Sequence, residues 1–184
     1  MKGKVHIGAG AVLLLTALYY LSGMGQLAAL LCAAAVHELG HLAALKLCRV
    51  DVRGLRFGAG GLDMAVSGFT GASERLVCYA AGPAAGLLYC LAVRRVFPSS
   101  AIYSLLLSTY NLLPVLPLDG GRMLECLLSE VLCVKHTVNI MYALCLSIAV
   151  LLCTVGLILL HGEQGAAVFA AGICLLYHII TGYV

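Results

Sequence analysis

Apolar residues run along this chain in six long stretches separated by short polar or glycine-rich breaks: 7–21, 27–45, 76–93, 101–118, 138–160 and 166–184. A hydrocarbon core about 30 Å thick takes about 20 apolar residues per helix. The pattern therefore predicts an all-α polytopic membrane protein with about six transmembrane helices. The third stretch is broken by Gly82-Pro83, the fourth carries Pro114 and Pro117 near its end, and the fifth has no charge at all. One membrane-embedded domain over 1–184 is expected, and the first apolar run reads as a span, not as a removed leader.

Two breaks have patterns of their own. Between stretches two and three, residues 50–66 alternate: Val52, Gly54 and Arg56 against Arg53, Leu55 and Phe57, then Gly58, Gly60 and Gly61, then Leu62, Met64 and Val66. This predicts a small β-hairpin. A bare strand edge has no partner in lipid, so the hairpin must lie at the interface, pack on protein or pair with a guest strand. It reads equally as a plain surface hairpin. After Asp119, Leu124, Leu127, Leu128, Val131 and Leu132 share one helical face, while Arg122, Glu125, Ser129 and Glu130 lie off it. That predicts a short amphipathic helix along the membrane surface, whose charges need no catalytic role.

Composition agrees with the pattern. The chain of 184 residues is 62% hydrophobic and 10% charged, with mean hydropathy +1.05, against about 25% charged in soluble domains. A net charge of +3 gives no ground for nucleic-acid binding. With the N-terminus in the cytoplasm, Lys2, Lys4, Lys46, Arg49, Arg53, Arg56, Arg75, Arg122 and Lys135 fall inside and only Arg94 and Arg95 outside. This fits the positive-inside rule and puts the hairpin and both termini in the cytoplasm. The nine cysteines show no CxxC or CxxH spacing, so they read as small apolar residues.

Against this background the stretch AAAVHELGHLAAL at 33–45 stands out. Ionisable groups inside a span are expensive and need a common partner. On a helix His37 and His41 share a face and can bind one metal ion. Glu38 is turned roughly 100° from His37 and is suited to take a proton from water instead. A hydrogen-bonded cluster is the competing reading. Catalytic zinc commonly takes a third protein ligand. His6, His136, His161 and His178 fall near segment ends, and Asp51 and Asp63 in the hairpin. Asp119, in NLLPVLPLDGGR, sits where prolines break the helix and glycines free the chain to turn. It is the candidate third ligand, or alternatively a helix cap. A transporter or binding scaffold using the same ligands remains the rival class, although it gives Glu38 no task.

These residues resemble the site-2 protease family of intramembrane zinc metalloproteases. The resemblance rests on His37-Glu38-Leu39-Gly40-His41, on Asn111…Pro114…Pro117-Leu118-Asp119-Gly120, and on Gly82-Pro83-Ala84-Ala85-Gly86. It covers about 27–122 as a catalytic core, leaving 5–22 and 138–184 as accessory helices. Six spans and a cytoplasmic hairpin look closest to the stage IV sporulation protease branch, without its nucleotide-sensing domain. The resemblance implies Zn2+ held by His37, His41 and Asp119, Glu38 as the catalytic base, and Asn111 and Pro117 positioning substrate; a plain interhelical hydrogen bond is the other reading of Asn111. It also implies a membrane-tethered protein substrate, cleaved near the cytoplasmic face, and a membrane regulatory partner. His37 lies about eight residues from the end of its span, roughly 12 Å deep.

Overall fold

The computed structural model describes residues 5–7, 9–58, 61–69, 71–159 and 165–182. Its elements are β1 (Val5–Ile7), α1 (Ala9–Leu47), β2 (Asp51–Gly58), β3 (Gly61–Ser67), α2 (Ala72–Val93), α3 (Pro98–Asn111), α4 (Asp119–Val131), α5 (Val134–Ile158) and α6 (Gly165–Gly182). They fall into two compact units, 1–111 and 112–184.

In the first unit α1 is not one rod. A straight helix of 39 residues would hold its ends about 58 Å apart. Yet β1, just before α1, pairs in parallel with β2, just after it, from Val5↔Leu55 to Ile7↔Phe57. The chain folds back at Gly23, whose φ of 77° and ψ of 168° interrupt the helix, a conformation glycine adopts without steric cost. The arm Gly23–Leu47 is long and apolar enough to span a membrane, and it packs on α2 and α3. α3 turns Ser100, Ser104 and Ser108 inward, all at most 4% exposed, at the four-residue spacing of one helix face. The Ser100 hydroxyl donates to the Ala29 carbonyl at 3.0 Å, and Ser104 to the Gly86 carbonyl at 2.8 Å. A side chain on Gly86 would meet the Ser108 hydroxyl. Meanwhile Leu39, Leu88, Leu91 and Ile102 point outward. Small polar residues inside and leucine outside is the arrangement expected where the solvent is lipid and helices meet through small side chains.

The second unit has its own core of Val115, Met141, Cys145, Ala149, Leu175 and Ile179. α5 and α6 approach closely because Gly156 lies against the Phe169 backbone and Gly172 against Cys153.

The expected architecture needs correction. Three helices among the described residues, not six, are long and apolar enough to cross a membrane: Gly23–Leu47, Ala72–Val93 and Val134–Ile158. The stretch 101–118 is not a span, because α3 stops at Asn111 and a non-helical segment with Pro114 and Pro117 follows. The 14 helical residues of α3 reach about 21 Å, short of a hydrocarbon core. The last stretch forms α6 over Gly165–Gly182. Nor is the fold all-α with a lone hairpin. The strands form a three-stranded sheet in the order β1-β2-β3, so β2 is the central strand and its outer edge is taken by β1. Residues 5–7, expected at the start of an accessory helix over 5–22, are strand instead; Val and Ile suit a pleated surface. The turn at Gly60, and also Lys2, Lys4 and His161, lie outside the described residues.

The amphipathic face of α4 also divides. Leu124 and Leu128 pack on the second unit's core, whereas Leu127 and Val131 are exposed.

Candidate metal centre

His37 and His41 sit one turn apart on the second arm of α1. His37 is 4% exposed; Glu38 and His41 are half-buried. The two Nε2 atoms are 3.2 Å apart and the rings meet edge to face, with centroids 4.9 Å apart. On the far side of its ring, His41 donates from Nδ1 to the Cys78 carbonyl at 2.8 Å. A carbonyl only accepts, so Nδ1 carries a proton, and Nε2, which faces His37 Nε2, is the atom His41 could offer to a cation. The Cys78 end of α2 is held to α1 by apolar packing of Ala44, Leu45, Val50 and Cys78.

Asp119 reaches its place through a different local structure. After α3 ends, the chain runs without helix until Leu118, whose extended φ and ψ make it the N-cap of α4. Asp119 is thus the first helical residue and not the cap. There its carboxylate also suits the positive end of the helix dipole. The segment before it is fixed at several points. Val115 is fully buried in the second unit's core. The Leu116 amide donates to Cys145 Sγ at 3.3 Å, and the Leu116–Pro117 peptide is cis. Arg122 Nε donates to the Pro117 carbonyl at 3.1 Å. Side chains on Gly120 or Gly121 would strike the backbone of Leu112, Leu113 and Val115, so these glycines let the loop wrap onto the helix start.

One ligand atom from each of His37, His41 and Asp119 lies within 4.8 Å of the others. A tetrahedral zinc with bonds near 2.0–2.1 Å keeps its ligand atoms roughly 3.3 Å apart. The imidazole pair already has that spacing. Two imidazoles and a carboxylate form a donor set that zinc accepts with a position left open. The cluster is capable of coordinating a metal ion.

The other expected site residues lie outside this ligand group. Glu38 follows His37 and is not in the ligand group. Asn111 is the last residue of α3, and its side-chain amide donates to the Leu107 carbonyl of its own helix at 2.9 Å, not across to another helix. Pro117 contributes its carbonyl to Arg122. Two contributors were not expected. The Cys78 carbonyl is a backbone group and leaves no mark in sequence. Arg122, read as a surface charge, steadies the loop before Asp119; its position five residues after Pro117 was the available signal.

The model for Peptidase family M50 matches residues 91–155, a stretch that takes in Asn111, Pro117 and Asp119 but not His37–His41. No curated protein gives a significant match. Among solved structures the chain is similar to "Site-2 Protease from Methanocaldococcus jannaschii", with a TM-score of 0.76 over 96% of this chain and 89% of that one, at 17% identity. At that identity the likeness is one of fold.

Proposed function

We propose that the chain is an intramembrane zinc metalloprotease of the site-2 protease type, which hydrolyses a peptide bond of a membrane-associated protein near the cytoplasmic face. The observation that carries this reading is the convergence of His37, His41 and Asp119 within 4.8 Å from positions about eighty residues apart in the chain. The M50 match and the shared fold support it. The likeness to the sporulation branch leaned on six spans and a lone hairpin, so the proposal stays at the level of the wider type.

His37, His41 and Asp119 would hold the metal. Zinc, when bound, supplies Lewis acidity toward a carbonyl oxygen and lowers the pKa of water. Glu38 takes the proton from the attacking water and delivers it to the leaving amine nitrogen. It follows His37 directly, about 100° round the helix from that ligand candidate, and is half-buried. Asn111, fixed by its bond to Leu107, keeps its side-chain oxygen to orient the substrate backbone.

Glu38→Gln separates catalysis from binding. The variant is expected to keep zinc and to lose cleavage of a membrane-tethered substrate by 10²-fold or more, the scale of general-base catalysis. Undiminished cleavage by purified Glu38→Gln protein would overturn the mechanism. Substrate accumulating on this variant in cells would be identified by cross-linking.

A further inference from the structure

We propose that Gly82 is a positioning residue for the metal centre: with the Cys78 carbonyl it forms a cradle that fixes the tautomer and orientation of His41. The inference rests on the metal reading above and goes beyond it to a residue that is not a ligand.

Three observations carry it. A Cβ on Gly82 would fall on the His41 ring, and its three nearest neighbours would all be imidazole atoms, Nε2, Cε1 at 2.5 Å and Cδ2 at 2.7 Å. The ring therefore occupies the space a side chain would fill. His41 Nδ1 donates to the Cys78 carbonyl at 2.8 Å. Cys78 lies four residues before Gly82, so this carbonyl is the one Gly82's own amide addresses in the helix; a carbonyl oxygen has two lone pairs and can take both donors. Finally, Gly40, inside the same HELGH turn, lies against the Ala81 carbonyl at 2.5 Å and Ala85 Cβ at 2.6 Å from the position its own Cβ would take. Small residues on both helices bring the α1 and α2 backbones close enough for an imidazole to reach a helix carbonyl.

The chemical consequence follows. A neutral histidine has two tautomers, and only the one protonated on Nδ1 offers Nε2 to a metal. The Cys78 carbonyl selects that form, and the absence of a side chain at Gly82 leaves the ring the room to reach it. Partners of this kind commonly change metal affinity 10–100-fold when lost.

The test is a double-mutant cycle on the full-length protein in detergent, read as zinc affinity by competition with a chromophoric chelator. Gly82→Ala is expected to weaken zinc binding on the order of 10–100-fold when His41 is the ligand. With His41→Cys, whose compact thiolate leaves the slot empty, the same Gly82→Ala change is expected to cost less than about threefold, because the coupling partner has gone. Equal losses in both backgrounds would show that Gly82 acts only through general helix packing and would overturn the proposal. A second measurement needs no variant. In metal-free wild-type protein, ¹⁵N NMR of the histidines is expected to show His41 protonated on Nδ1 and bare on Nε2; the opposite tautomer would overturn the cradle. Failure of the wild type to bind zinc would instead strike the functional proposal, while the nitrogen spectrum would still judge the cradle.

Discussion

At His37 and His41 the four-residue spacing does two things. It places both Nε2 atoms on one side of α1, 3.2 Å apart, and it leaves the intervening Leu39 and Gly40 to meet their surroundings, Leu39 exposed and Gly40 against Ala81 and Ala85. That both imidazoles share one face was legible in the sequence because helical periodicity is a property of spacing alone. Asp119 was legible for another reason: proline and glycine mark where a helix must end and where a chain can turn. The Cys78 carbonyl was not legible, since every residue carries one. At this scale Asp119→Asn is expected to lower zinc occupancy after dialysis against a chelator by at least tenfold, since an amide is a weaker ligand than a carboxylate, with helix content unchanged by circular dichroism; full occupancy would move the third ligand elsewhere. Arg122→Ala removes the donor to the Pro117 carbonyl and is expected to weaken zinc binding less than Asp119→Asn does, measured in the same titration.

Among the elements, apolar run length proved a poor guide to span number. The run 101–118 looks continuous, but only α3 is helical, and the remainder is the loop that delivers Asp119. The prolines in that run signalled the break; hydropathy averaged over it did not. β1 was missed because three residues of strand adjoin an apolar helix, and its pairing is with residues some fifty positions on, a distance no local pattern reports. Tight contacts between elements depend on single glycines. Gly156→Val on α5 would push into the Phe169 backbone on α6 and is expected to destabilise the second unit by about 1–3 kcal/mol, measured as a shift in detergent-induced unfolding.

For the whole molecule, composition and helix length point to the same solvent, a lipid bilayer. Leu39, Leu88 and Leu91 face outward, and among the described residues three helices are long and apolar enough to cross a bilayer. The chain is accordingly expected to stay with membranes through an alkaline carbonate wash; release into the supernatant would contradict a multi-pass arrangement. The central claim is that zinc sits between two histidines and an aspartate in a chain that also carries nine cysteines, a residue zinc readily takes as thiolate. Zinc K-edge X-ray absorption on the purified Glu38→Gln protein tests that choice directly. The account predicts one zinc per chain with only nitrogen and oxygen neighbours at about 2.0–2.2 Å, including multiple-scattering features of two imidazoles. A sulfur shell near 2.3 Å, or no bound zinc, would contradict it.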